Sequence, residues 1–110
     1  GPYSQAKICG GMVYASGQIP VNPESGKIES ADIAAQTEQA CKNVAALLEA
    51  AGTSIEKVVK TVCFLADIAD FGAFNAVYEK YFTSCPARSC VAVKDIPKGA
   101  LVEIECIAEL

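Results

Sequence analysis

An α+β layer, one β-sheet with two helices on a single face, is the fold that this chain of 110 residues predicts. Three patterns carry the expectation. Between Asp32 and Ala51 apolar residues recur at three- and four-residue spacing, as they do from Phe71 to Phe82, and the C-terminal stretch from Leu101 to Leu110 alternates strictly. With no repeat, low-complexity tract or linker in between, residues 1–110 read as one domain.

Taken in order, residues 1–11 hold turn formers at both ends, and Met12 to Ser16 reads as a short strand running into Gly17-Gln18-Ile19-Pro20. Glycine there lets a ligand or another backbone approach closely, and the proline stops the ladder. A turn follows at Asn22 to Lys27. The first helix carries Ile33, Thr37, Ala40, Cys41, Val44, Leu47, Leu48 and Ala51 on one face, with Asp32 as cap and Gly52 as the left-handed stop. Val58 to Ala66 is rich in β-branched and aromatic residues on both faces, the mark of a central strand: Val58, Val62 and Phe64 lie opposite Val59, Thr61, Cys63 and Leu65.

Asp70 is expected to cap the second helix, whose stripe of Phe71, Phe74, Val77, Tyr78, Tyr81 and Phe82 reads as core, its edge residues left for a ligand-facing role. Two strands close the chain, Ser89 to Val93 and Leu101 to Leu110, joined by Lys94 to Gly99 as a hairpin-like or crossover connection. On the last strand Val102, Ile104, Cys106, Ala108 and Leu110 share one face, and Leu101, Glu103, Glu105, Ile107 and Glu109 the other. Glu105 and Glu109 read as a solvated acidic surface. Two helices can cover only one side of such a sheet. An apolar second side left in water would be a large sticky patch, so self-association with cyclic symmetry is expected.

The formal net charge of −4 and the scattering of the lysines leave no basic stripe, which argues against a nucleic-acid partner. No apolar stretch approaches the ~18 residues of a membrane span, and the N-terminus lacks the basic and apolar regions of a secretory signal, so a cytoplasmic protein is expected. Of the six cysteines, Cys41 lies in a helical pattern and Cys63 and Cys106 in strand patterns, where small apolar residues pack. Free thiols in a reducing compartment fit that placement, and without histidine or a Cys-x-x-Cys no metal site is expected.

The chain has no histidine and a single arginine, Arg88, in Cys-Pro-Ala-Arg-Ser-Cys. Any planar two-pronged grip on a carboxylate or phosphate falls to that residue, and acid–base chemistry at neutral pH falls to carboxylates, tyrosine, cysteine, lysine and water. Cys85 and Cys90 flank the guanidinium, whose charge favours thiolate; packing or pocket lining is the competing reading for Cys90, since no imidazole stands ready as base. Tyr3 is either an anchoring aromatic or a phenol directed into a cleft.

Gly1-Pro2-Tyr3-Ser4-Gln5-Ala6, Ser16-Gly17-Gln18-Ile19-Pro20, Asp70-Phe71 with Phe74-Asn75 and Tyr78, Pro86-Ala87-Arg88-Ser89, and Ile96 through Glu105 occur in the same order in another group of proteins. Together they resemble the Rid family, also called YjgF/YER057c/UK114, and most of all its RidA-type reactive intermediate deaminases. The resemblance implies a chorismate-mutase-like protomer, a homotrimer with ligand sites between subunits, and hydrolysis of 2-aminoacrylate and related imines without a cofactor. It further implies that Arg88 binds the substrate carboxylate and Glu103 positions the attacking water. Tyr3, Ser16, Gly17, Asn75 and Cys90 would line the cleft, Tyr3 also as a proton relay or closure. Members carry residues ahead of Gly-Pro-Tyr that often form a strand, so that strand is expected to be absent here, and the stretch before Pro86 is shorter than in many relatives.

The function expected is therefore hydrolytic deamination of 2-iminopropanoate and 2-iminobutanoate to 2-keto acids and ammonia. A trimeric 2-keto acid sensor without turnover is the alternative. An endoribonuclease or translation inhibitor is the weaker one, set against the acidic charge.

Overall fold

The computed structural model describes all 110 residues. Five strands, β1 (Ala6–Cys9), β2 (Met12–Gln18), β3 (Val58–Leu65), β4 (Ala87–Ala92) and β5 (Val102–Glu109), form one mixed sheet in the order β1-β2-β5-β3-β4. Only β3 and β4 run parallel. Helices α1 (Ile33–Ala50) and α2 (Phe71–Tyr81) pack on one face, which bears out the α+β layer.

Side-chain alternation explains which face that is. Val13 and Ala15 of β2, Cys63 and Leu65 of β3, and Val102, Ile104, Cys106 and Ala108 of β5 join Ala40, Cys41, Val44 and Leu48 of α1 and Phe74, Tyr78 and Phe82 around α2 in one core. Removing that apolar surface from water, at about 25 cal/mol per Å², is what holds helices to sheet. Tyr14, Val62, Phe64, Glu103, Glu105 and Ile107 point the other way, and neither helix covers them.

Several expectations need correction. Ala6–Cys9 is a strand, paired with β2 through a two-residue Gly10-Gly11 turn whose φ values of 58° and 77° suit the right-handed twist of a hairpin. Of the two connections expected between β4 and β5, hairpin-like or crossover, the structure has the crossover: β3 lies between them, pairing with both. Val58 is buried on the helix side with Thr61 and Cys63, because a register shift between Val58 and Lys60 turns it over and leaves Val59 exposed. Asp70 makes no capping hydrogen bond; a 3₁₀ turn at Ile68–Asp70 precedes α2, and there Asp67 accepts from the Ala69 N–H at 2.9 Å. Asp32 caps α1 as expected, accepting from the Ala35 N–H at 2.9 Å.

Candidate functional site

Arg88 enters β4 through a sharp reversal. After α2 the chain reaches Cys85, whose φ of 53° is left-handed, and Pro86 then sets the direction of the strand. Ser84 Oγ donates to the Val58 carbonyl at 2.8 Å and anchors the turn. Arg88 pairs in register with Thr61 of β3, so its side chain lies on the helix side of the sheet, under α2. Its Nη1 donates to Asn75 Oδ1 at 2.7 Å. The guanidinium carbon stands 4.8 Å from the Tyr78 ring centroid, 5.4 Å from that of Phe71 and 5.9 Å from that of Phe74, within the range of cation–π attraction. The bond to Asn75 engages one of five guanidinium donors. The fork borders a groove of about 670 Å³ lined by Asn75, Tyr78, Glu79, Phe82, Thr83, Cys85 and Pro86.

A second group forms around a bulge in β2. Ala15 pairs with Cys106 and Gln18 with Ile104, so Ser16 and Gly17 together face one residue of β5. The Glu103 carboxylate rests against Gly17: a Cβ there would stand 2.8 Å from Glu103 Cδ. Burial, and secondarily the neighbouring Glu105, pushes the Glu103 carboxyl above the usual carboxylate range. Ser16 donates its hydroxyl to the Ser4 carbonyl at 2.6 Å and its N–H to the Gln5 carbonyl at 2.8 Å, tying the N-terminal segment beside the bulge. Those bonds use the Ser16 proton and leave its lone pairs for a ligand. Tyr3, 65 % exposed, lines with Gly17 a groove of about 490 Å³.

The two groups do not meet within one chain. Arg88 is in register with Thr61 and Glu103 with Phe64, three residues further along β3, so the two side chains leave opposite faces of the sheet. Strand rise and spacing put their backbones about 14 Å apart. Asn75 and Cys90 belong with Arg88; Tyr3, Ser16 and Gly17 belong with Glu103.

The family model described as Endoribonuclease L-PSP matches residues 1–110. The chain belongs to the YjgF/Rid family. A candidate regulator, AldR, of Lactococcus lactis is 52 % identical, the match covering the whole of this chain and 88 % of that protein. The 2-iminobutanoate/2-iminopropanoate deaminase of Escherichia coli is 49 % identical over 98 % of this chain and 87 % of its own. A crystal structure of a candidate endoribonuclease L-PSP from Entamoeba histolytica superposes with a TM-score of 0.97 at 53 % identity, covering all of this chain and 89 % of that one. The relatives thus agree on family and fold while carrying different functional names.

In this Rid-family chain the thiols are free. Cys41, Cys63 and Cys106 are buried, and burial holds the Cys63 and Cys106 thiols up at about 12. Cys90 is also raised: burial outweighs the opposing pull of Arg88, which disfavours a thiolate at that position. No group of three or more His, Cys, Asp or Glu side chains is arranged to hold a metal ion, and no helix is long and apolar enough to cross a membrane. Sequence reasoning left the edges of the α2 rings open to a ligand-facing role but did not place Phe71, Phe74 and Tyr78 around Arg88. Their helical spacing signals only core, and contact with a residue of β4 is visible only once α2 is laid over the sheet.

Proposed function

We propose that this Rid-family protein hydrolyses small 2-imino acids such as 2-iminopropanoate and 2-iminobutanoate to 2-keto acids and ammonia, in clefts between the subunits of a homotrimer. The observation that carries this reading is Arg88: a lone guanidinium framed by three rings and Asn75, with most of its donors free beside a groove. That is a carboxylate receptor by chemistry, since the planar fork matches two carboxylate oxygens.

The imine carbon is already electrophilic, so the reaction asks for orientation and a placed water more than for a strong nucleophile, and it calls for no metal or organic cofactor. Arg88 of one subunit holds the carboxylate while Glu103 of the next takes a proton from water as the oxygen adds to C=N. The proton passes to nitrogen and the carbinolamine expels ammonia. Tyr3 closes the cleft or relays the proton; Ser16, Gly17, Asn75 and Cys90 shape it. The position of Arg88 and Glu103 on opposite faces of a protomer supports a shared cleft, and the sheet face that the helices leave bare supports assembly.

The test is hydrolysis of 2-iminopropanoate measured against its spontaneous rate. Arg88→Ala is expected to lower kcat/KM by about a hundredfold with the assembly intact. Unchanged turnover would overturn the assignment. A non-catalytic 2-keto acid sensor is the second reading, favoured by the 52 %-identical relative named as a candidate regulator. A sensor would saturate with keto acid and accelerate nothing.

A further inference from the structure

Behind Arg88 lies a short chain of contacts that the proposed reaction does not itself use. Thr61 is the register partner of Arg88 across the β3–β4 ladder, and both side chains lie on the helix side. Thr61 is fully buried, and its Oγ1 is 2.7 Å from the Tyr78 hydroxyl. Tyr78 is buried as well, stacked on Phe82 at 4.4 Å between centroids, and its ring presents the closest aromatic face to the guanidinium, at 4.8 Å. The hydroxyl pair thus pins one end of the ring to β3, and Phe82 fixes its tilt.

We infer that Thr61 and Tyr78 are positioning residues that set the height and orientation of the Arg88 guanidinium, and through it the affinity for a substrate carboxylate. A guanidinium held over a fixed ring gives up less rotamer freedom when it pairs with an anion, which is the general route by which preorganisation raises affinity. The ring also keeps one face of the cation dry while leaving its N–H edge free, so the fork is aimed and not neutralised. Asn75 Oδ1 fixes Nη1 from the helix side. The carboxylate half of this inference rests on the function proposed above; the orientation half does not.

Because Arg88 is the chain's single arginine, its Nε–H gives one resonance in a ¹H–¹⁵N spectrum, readable without assignment of the rest. In the wild type that signal is expected at high field, shifted by the rings, and slow to exchange with water. Tyr78→Leu, which removes the ring, is expected to move it toward the position of a free arginine. It should also raise the Kd for pyruvate, and KM for 2-iminopropanoate, by about tenfold with kcat changed far less. Tyr78→Phe keeps the ring and breaks only its bond to Thr61, so it is expected to show a smaller change in shift and affinity than Tyr78→Leu, of the size that Thr61→Val shows. Thr61→Val keeps the shape of the strand residue and serves where Tyr78→Leu fails to fold; it should move the resonance and raise the pyruvate Kd. Combining it with Tyr78→Phe should be no worse than either alone, since a single deletion strands one buried hydroxyl.

An Nε–H signal unmoved by Thr61→Val and by Tyr78→Leu overturns the inference whatever the protein catalyses. So does a moved signal with unchanged pyruvate affinity. A wild type that binds pyruvate without accelerating imine hydrolysis overturns the enzymatic reading and leaves this one supported by the variants. A wild type that binds no carboxylate overturns both.

Discussion

Gly17 illustrates how a single missing carbon shapes this site. The Glu103 carboxylate occupies the volume where any Cβ at position 17 would stand, with Cδ at 2.8 Å. Gly17→Ala therefore displaces the carboxylate by roughly an ångström, a misplacement that lowers turnover on the order of a hundredfold. Steady-state rates and thermal unfolding of this variant check the point together: activity should collapse while the half-buried Glu103 relaxes and the melting temperature moves little. Glu103 itself links rate and stability in opposite directions. Its carboxyl titrates above the ordinary range in the folded protein, so the native state holds that proton more tightly than the unfolded chain does. The stability it contributes is full below the ordinary carboxylate pKa and is lost as pH rises through the raised folded value. Glu103→Gln is thus expected to melt higher than the wild type at pH 7, with the difference vanishing near pH 4; melting curves across that span decide it. Turnover should show the reverse slope, falling toward acid as the base is protonated, and the glutamine variant should lose that limb along with its activity.

At the scale of elements, local pattern was legible wherever one short-range rule decided the outcome. The spacing from Ile33 to Ala50 and the cap at Asp32 specify α1, and strict alternation specifies the faces of β5. What local pattern cannot hold is adjacency. Nothing in Ser89 to Val93 says that β3 will stand between it and the last strand, because that order is fixed by the crossover and by the pairing of β3 with both strands. The hairpin of β1 and β2 carried a signal, Gly10-Gly11 between two short runs, yet Ala6–Cys9 is mostly exposed and too short to show alternation. The turn between α2 and β4 yields a prediction of its own. Cys85 adopts φ of 53°, a conformation that costs an L-residue roughly 1–2 kcal/mol and glycine almost nothing. Cys85→Gly is therefore expected to stabilise the fold by about 0.5–1 kcal/mol once the extra entropy of glycine in the unfolded chain is subtracted. Urea unfolding measures it, and a less stable glycine variant would mean that the Cys85 side chain holds the turn by contacts outweighing the strain.

On the scale of the whole molecule the candidate site residues could be named through the family resemblance, and their division between two faces of the sheet could not. Arg88 stands out as the only arginine, whereas Glu103 shares its face of β5 with Glu105 and Glu109 and is singled out only by the family resemblance; that the two leave the sheet on opposite faces follows from register alone, because Thr61 and Phe64, their partners on β3, are three positions apart. A cleft that uses both must draw them from two copies, and this has an arithmetic consequence. Arg88→Ala subunits keep Glu103, and Glu103→Gln subunits keep Arg88, so each is inactive as a homomer. When the two are unfolded together in equal amounts and reassembled, a given interface receives an intact Arg88 from one side and an intact Glu103 from the other in about one case in four, whatever the number of subunits in the ring. Turnover of 2-iminopropanoate should then return to about a quarter of the wild-type value per interface, and simple mixing of the preassembled variants should recover less. Reassembled mixtures that stay as inactive as their parents would place both groups in the service of a single protomer and remove the shared cleft.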